Sequence, residues 1–161
     1  MTAFIECLEK WSINDSKVRA VLRRSLAFDP GKYTLAYPYV EPFLKANEST
    51  LRRQMYYLVA GLWATHWKLE RSEKKITVAK ACANYMVITD SSSIEKRFIS
   101  VIDADSSQLP YRLRQLIALL KDYPIDFVKL LEDLLYWNNE LKLTQNAWAR
   151  NFYRPSYDEK I

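Results

Sequence analysis

Apolar residues recur along most of the chain with the three-to-four-residue spacing of amphipathic helices. The stretch at 29–48, which contains Pro30, Gly31, Pro38 and Pro42, interrupts this pattern with turns and leaves room for one short helix. The spacing predicts helices at about 3–11, 16–28, 38–45, 51–68, 77–87, 93–103, 107–120, 127–137 and 142–153. An all-α fold is therefore expected.

The predicted helix at 51–68 differs from the others because it is apolar on nearly every side after Arg52 and Arg53. A helix of that kind is usually buried on all faces, so we expect it to form the centre of the core. The charged stretch LERSEKKI at 69–76 follows it and is the best candidate for a hinge. Two small lobes are expected, a basic one at 1–75 and a second at 76–161, with a single compact domain as the alternative.

Two local signals indicate where helices begin in the second half. Ser92 and Glu95 match the S-x-x-E capping box, in which the serine hydroxyl accepts the backbone N–H of the glutamate and the glutamate side chain accepts that of the serine. Ser106 or Ser107 can start the next helix, and Pro110 is tolerated in its first turn because the first N–H groups lack partners there.

The composition supports a helical globular protein. Of 161 residues, 49% are apolar, which is enough to bury a core. Gly31 and Gly61 are the only glycines. Strand-rich folds need glycine at turns and bulges, and Rossmann or P-loop sites need it to approach a phosphate closely. Both classes are therefore disfavoured.

The chain is expected to be soluble and cytoplasmic. Cys7 and Cys82 are too few for a disulfide framework and are interpreted as reduced thiols facing the core. The N-terminal sequence MTAFIECLEKW lacks the long apolar run of a signal peptide. The longest apolar stretch, Met55–Trp67, is shorter than the roughly 20 residues that cross a membrane.

Residues that could support catalysis are scarce. His66 is the single histidine, which excludes the usual zinc sites and makes a serine or cysteine triad improbable. Asp103 with Asp105 could bind Mg²⁺, as could Glu132 with Asp133, but helix capping and solvated surface are the preferred interpretations. The sequence therefore predicts no enzyme activity, no metal and no cofactor.

The basic residues are the most informative polar group. The net charge is +5, and residues 1–80 hold 14 Lys and Arg against 8 Asp and Glu. Guanidinium pairs well with phosphate, so arginines beside the apolar faces of helices suggest a polyanionic partner. Internal salt bridges remain the alternative. The candidates for nucleic-acid binding are Arg19, Arg23, Arg24, Arg52, Arg53, Lys96, Arg97, Arg112 and Arg114.

Several motifs of the second half resemble those of one family. They occur in the same order and at similar spacing in the CasB family, the small subunit of the type I-E CRISPR Cascade surveillance complex. The matching segments are Ile94–Phe98, Asp103–Asp105, Leu109–Leu116, Ile125–Phe127, Leu130–Trp137 and Trp148–Tyr153. The first half is similar more loosely, through Leu22–Arg24, Tyr39–Phe43 and the helix starting near 51.

The resemblance implies an all-helical protein of two lobes that form an elongated helical bundle. It implies a non-catalytic role, in which two copies lie head to tail and contact the other Cascade subunits, the CRISPR RNA and the target DNA. It also implies that the subunit helps to hold the displaced strand of the R-loop. It further implies that the protein binds neither a membrane nor a small-molecule substrate.

Among the candidate residues, the resemblance favours Arg23, Arg24, Arg52 or Arg53, and also Lys96, Arg97 and Arg114 in the second half. Helix geometry adds Arg19 and Arg112. The alternative function is a structural adaptor, in which these arginines contact protein instead of nucleic acid.

Overall fold

The computed structural model describes residues 1–68 and 74–154, and within them the protein is all-α. Three 3₁₀ turns, at Ser25–Ala27, Thr34–Ala36 and Glu41–Phe43, accompany the helices. The α-helices are α1 (Thr2–Asn14), α2 (Lys17–Arg24), α3 (Tyr37–Val40), α4 (Thr50–His66), α5 (Val78–Thr89), α6 (Ser93–Ile102), α7 (Leu109–Leu119), α8 (Phe127–Leu135) and α9 (Leu143–Tyr153). The predicted fold class is confirmed.

Helix α4 is the central core helix, as its apolar sequence predicts. The Ser49 hydroxyl accepts the backbone N–H of Arg52 at 3.2 Å, which caps the helix at its first turn. Every residue from Met55 to Ala64 is buried, as is His66 near the end of the helix. Apart from the tyrosine hydroxyls, polar side chains are confined to the first turn and to the end, where Thr65 is exposed.

The described residues divide into two compact units, and the first contains α1 to α4 together with α8. In this unit α2 packs against α4, and the two helices run in opposite directions. A Cβ atom on Gly61 would lie only 2.6 Å from Leu26 Cδ2 and 3.2 Å from the Leu22 carbonyl oxygen. The close approach of the two helices therefore depends on glycine at position 61.

The second unit contains α5, α6, α7 and α9. An isolated parallel bridge joins Ile76 to Ile125. The core is aromatic at the contact of α6 with α9, where the Phe98 and Phe152 rings stack with centroids 4.3 Å apart. The buried indole of Trp137 donates to the Ala104 carbonyl oxygen at 3.1 Å, so its polar atom is satisfied.

The two units are not contiguous in the sequence. Helix α8 at Phe127–Leu135 packs against α4 in the first unit, although the predicted second lobe, 76–161, includes it. The chain on both sides of α8 belongs to the second unit. The predicted lobe boundary at residue 75 stays a prediction, and the predicted hinge at 69–76 lies outside the described residues except for its last three positions.

The predicted capping box at the start of α6 is wrong. Ser92 precedes the helix, but its side chain makes no capping hydrogen bond. The reason is its backbone, with φ −76° and ψ −8°, because a capping serine needs an extended conformation to aim its hydroxyl at the first turn. The Ser91 hydroxyl instead accepts the Ser93 N–H at 3.3 Å.

Both cysteines are free thiols. Cys82 is buried, and this burial raises the pKa of its thiol to about 12, so it stays protonated and packs as a small apolar group. Cys7 is half-buried on α1. Across residues 1–68 and 74–154, the helices are all too short or too polar to cross a membrane.

Candidate nucleic-acid interface

Helix α2 is the most basic element of the first unit. It carries four cations and no acidic residue over Lys17–Arg24. Val18 and Leu22 are buried and orient the helix, while Arg23 and Arg24 extend into solvent from its last turn. Their side chains make no hydrogen bond or ion pair with any part of the chain that the structure describes. Cations are favoured at a helix C-terminus, where carbonyl groups carry partial negative charge.

Arg19 on the same helix is used differently. Its guanidinium carbon lies 3.6 Å from the centre of a Trp67 ring, which is a cation–π contact. Its Nη1 atom also donates to the Ser12 carbonyl oxygen at 3.0 Å. Arg19 therefore connects α2 to the ends of α1 and α4, and a phosphate would have to compete with these partners.

Arg52 and Arg53 at the start of α4 are both paired with glutamates. Arg52 Nε donates to Glu48 one turn earlier. Arg53 binds Glu41 with two nitrogen atoms, and the Nη1–Oε2 distance is 2.8 Å. Tyr57 adds a third hydrogen bond to the same carboxylate at 2.6 Å. The hydrogen bond from Arg53 is the main reason that the pKa of the Glu41 carboxyl lies below its ordinary value.

The arginine pairs of α2 and α4 lie at separate places in the first unit. Leu22 and Leu26 contact α4 at Gly61, so the end of α2 lies beside the middle of α4. Arg53 is eight residues before Gly61, which is about 12 Å along a helix axis. The structure therefore does not merge them into one tight cluster.

In the second unit, the antiparallel packing of α6 and α7 brings candidate residues together. Arg112 Nη1 donates to the Ser100 carbonyl oxygen at 2.8 Å, which attaches α7 to α6. One turn away, Arg97 Nη1 lies 3.4 Å from Gln115 Oε1, a long and weak hydrogen bond. Lys96, Arg97 and Arg114 are exposed, so α6 and α7 present three of the predicted cations to solvent.

The acidic residues near α7 act on the backbone. Asp105 Oδ1 accepts the Ser107 hydroxyl at 2.7 Å and the N–H groups of Ser107 and Gln108 at 3.0 Å each. These hydrogen bonds, first that of the hydroxyl, lower the pKa of the Asp105 carboxyl. Asp103 is the residue that ends α6. The interpretation of Asp105 as a capping residue is confirmed.

The described residues contain no group of three or more His, Cys, Asp and Glu side chains placed to hold a metal. His66 is buried at the end of α4, with its ring 5.3 Å from that of Phe127 on α8. The geometry thus indicates packing within the first unit as the role of the single histidine.

Three residues that affect the candidate interface are absent from the set predicted from the sequence. Lys17 is exposed on α2 and adds to its positive charge. Glu41 and Trp67 are the partners that occupy Arg53 and Arg19. The Glu48–Arg52 pair could have been predicted from its four-residue spacing. The other two pairs join residues 12 and 48 positions apart, so no local pattern indicates them.

Comparison with known proteins identifies relatives over most of the chain. A model of the family "CRISPR-associated protein Cse2" matches residues 18–153. A protein of that name from Thermus thermophilus is 42% identical over 143 residues, which is 88% of this chain and 82% of the relative.

Solved structures give the same result for the fold. The crystal structure of CasB from M. ruber is 37% identical and superimposes with a TM-score of 0.83, covering 98% of this chain and 94% of that one. A chain of a CRISPR RNA-guided surveillance complex superimposes with a TM-score of 0.81 over 95% of this chain and 91% of its own length. Its identity is 21%, so it shows a common fold only.

Proposed function

We propose, from the premise that this chain belongs to the CRISPR-associated Cse2 (CasB) family, that it is a non-catalytic, nucleic-acid-binding subunit of the type I-E Cascade complex. In this role it stabilises the R-loop of CRISPR RNA and target DNA, and the displaced strand, through Lys and Arg contacts to phosphates. Its other partners in the cytoplasm are the remaining Cascade subunits and a second copy of itself. The family resemblance predicted from the motifs is confirmed.

The open arginines at the end of α2 are the observation that carries the proposal. Arg23 and Arg24 are exposed and have no side-chain partner in the described parts of the chain. A guanidinium group binds phosphate with two parallel hydrogen bonds, and such contacts need no base sequence. An unpaired arginine also gives up no internal contact when it binds. These two residues are therefore the strongest candidates in the first unit.

Lys96, Arg97 and Arg114 form the second group of contacts in the proposal. In RNA-guided recognition, the RNA–DNA duplex that forms is about as stable as the DNA duplex that it replaces. A few additional protein contacts to the sugar–phosphate backbone therefore shift this balanced exchange towards the R-loop. Cations on α2 and on α6 and α7 would supply them without reading bases.

Arg19, Arg52, Arg53 and Arg112 contribute less in this proposal because of the partners that they contact. Arg19 and Arg112 donate to backbone carbonyl oxygens, and Arg53 is bound by Glu41. Arg52 is the intermediate case because one nitrogen atom binds Glu48, whereas Arg53 binds Glu41 with two. Each would have to exchange an existing partner for a phosphate.

The decisive experiment is a charge reversal in the reconstituted complex. We expect Arg23→Glu, Arg24→Glu and Arg97→Glu together to shorten the lifetime of the R-loop while the complex still assembles. The control reverses three exposed lysines elsewhere, Lys32, Lys45 and Lys74. An R-loop lifetime that is equal in both variants would contradict the proposed contacts.

The second candidate function is a structural adaptor whose arginines contact protein. The observation in its favour is exposed apolar surface, with Val87 79%, Ile88 74% and Tyr111 68% exposed. If the chain is an adaptor, the double variant Val87→Asn with Ile88→Asn should fail to assemble with the other Cascade subunits. The purified chain would also not bind nucleic acid at low salt, whereas the first proposal requires weak binding that falls steeply as salt rises.

A further inference from the structure

A pocket of about 390 Å³ opens in the first unit between α1 and the first residues of α3. This volume lies within the range of sites for small ligands. Two aromatic rings contribute to it, those of Trp11 and Tyr39, with centroids 6.0 Å apart and planes inclined by 57°. The lining residues are Lys10, Trp11, Asn14, Asp15, Val18, Pro38 and Tyr39.

We propose that this pocket receives one base of a single nucleic-acid strand whose phosphates follow α2. The inference rests on the proposed function, because it assumes that a strand lies on the basic side of the first unit. It extends that function from contacts with phosphate to a contact with a base.

The aromatic residues are suited to stacking because packing holds them in place. The Trp11 ring lies 6.0 Å from the ring of Phe43, and both Trp11 and Tyr39 are half-buried. Each ring therefore has one part fixed by the protein and another part open to the pocket. Stacking of a base on an aromatic side chain tolerates every base, since each has a π-face.

The polar residues at the pocket suit the edge of a base. Asn14 is exposed and offers both a donor and an acceptor, while Lys10 offers only donors. Asp15 is already engaged, because its Oδ1 atom accepts the backbone N–H of Lys17 at 2.9 Å. The lining can therefore satisfy a polar heterocycle, which a purely apolar pocket could not.

The pocket reaches α2 at Val18, the residue next to the exposed Lys17. Val18 lines it, and Lys17 and Arg24, seven residues apart, project from the same side of the helix. The distance from Val18 to Arg24 is about 9 Å along the axis. Two or three nucleotides span this distance, at about 3.4 Å per phosphate in a stacked strand.

A nucleic-acid strand explains the surroundings of the pocket better than a peptide does. Lys10 and Asp15 both line the pocket, and Lys17 and Arg24 on α2, which has no acidic residue, give its surroundings a net positive charge. A polyanion gains from all three cations, whereas an apolar segment of a partner protein gains only from the rings.

The test compares strands with and without bases. Fluorescence anisotropy of the full chain is measured with a single-stranded DNA 12-mer, an RNA 12-mer, and a DNA 12-mer with abasic sites at its central positions. We expect the strands with bases to bind roughly 5- to 150-fold more tightly than the abasic strand, as the stacking of one base implies. The DNA and RNA arms reveal which strand the pocket prefers.

Variants then assign this preference to the pocket. Tyr39→Leu keeps apolar volume but removes the ring, and we expect it to abolish the difference between the two DNA strands. Tyr39→Phe retains the ring and should retain the difference. Tyr111→Leu, at an exposed tyrosine of the second unit, should also retain it.

Three outcomes overturn the inference. The first is equal binding of abasic and normal DNA by the unmodified chain. The second is a Tyr39→Leu variant that keeps the preference, and loss of complex assembly in that same variant would identify a protein as the occupant. The third comes from photocrosslinking of the unmodified chain to a strand that contains iodouracil. Crosslinks to segments other than 10–18 and 38–39 would place the base outside the pocket. If no strand binds even at low salt, the proposed function itself fails.

Discussion

The sequence Arg-Arg occurs twice in the first unit, and the two pairs have opposite surroundings. Arg23 and Arg24 end α2 and are open to solvent, whereas Arg52 and Arg53 begin α4 and are bound to glutamates. The ends of the helices explain the difference. Positive side chains are stabilised by the carbonyl groups at a C-terminus and destabilised by the N–H groups at an N-terminus.

Acidic partners compensate for the unfavourable position of the second pair. Arg112 follows the same rule in the second unit, since it lies in the first turn of α7 and donates to the Ser100 carbonyl oxygen. Arginines in the first turns of α4 and α7 thus contact the fold, whereas Arg23 and Arg24 in the last turn of α2 are open to solvent. Net charge alone does not separate these two groups.

The largest expected difference between the pairs is in binding to single-stranded DNA. Arg23→Ala with Arg24→Ala should weaken binding by about 100-fold, because two charged hydrogen bonds of about 1.5 kcal/mol each are lost. Arg52→Ala with Arg53→Ala should weaken it by less than about 3-fold. Anisotropy titrations at low salt measure both effects. Equal losses would show that the glutamates do not withdraw the second pair from binding.

The Glu41–Arg53 pair should have a measurable effect on stability. Because Glu41 is partly exposed, we expect Glu41→Gln to lower the free energy of unfolding by only about 1 kcal/mol at pH 7. The folded-state pKa of Glu41 is lowered, so this stabilisation is complete above the unfolded pKa of about 4.3. It is lost as pH falls through the folded pKa.

Urea denaturation of both proteins at pH 7 and near pH 3 checks this prediction. The difference between unmodified chain and variant should shrink at the lower pH. A difference that stays constant would mean that packing, not the charge of Glu41, accounts for the effect.

The contact between α2 and α4 can be loosened at Gly61. Gly61→Ala should destabilise the protein by about 1 kcal/mol, because the added methyl group meets Leu26 and the Leu22 carbonyl oxygen. Alanine has a higher helix propensity than glycine by about 1 kcal/mol, so removing the clash should reverse the sign. In a Leu26→Ala background, Gly61→Ala should therefore stabilise. Denaturant titrations of the unmodified chain, the two single variants and the double variant measure these changes in stability. Additive effects of the two substitutions would contradict the contact between Gly61 and Leu26.

The smallest effect is expected for Arg52→Ala. Its pair with Glu48 joins residues four positions apart, with the Arg52 side chain 41% exposed, and pairs at this spacing contribute only a few tenths of a kcal/mol, roughly, to stability. The melting temperature should change by less than about one degree by circular dichroism. A larger decrease in melting temperature would show that Arg52, like Arg53, contributes to the stability of the fold.

Much of the fold could be predicted from the sequence because helices depend on residues three or four positions apart. The apolar periodicity located the helices, and the all-apolar composition of α4 indicated its central position. The order of the motifs from Ile94 to Tyr153 was sufficient to indicate the family. The error at Ser92 arose because a capping motif specifies residue types but not the backbone angles that aim them.

The tertiary structure decided everything that joins distant residues. It assigned α8 to the first unit, paired Arg53 with Glu41, placed Arg19 on Trp67, and formed a pocket from Trp11 and Tyr39. The sequence by itself determined where the cations lie along the helices. Apart from the local Glu48–Arg52 pair, only the packing of the helices decided which of these cations acquire partners, because the partners of Arg19, Arg53 and Arg112 lie at distances along the chain that no local pattern connects.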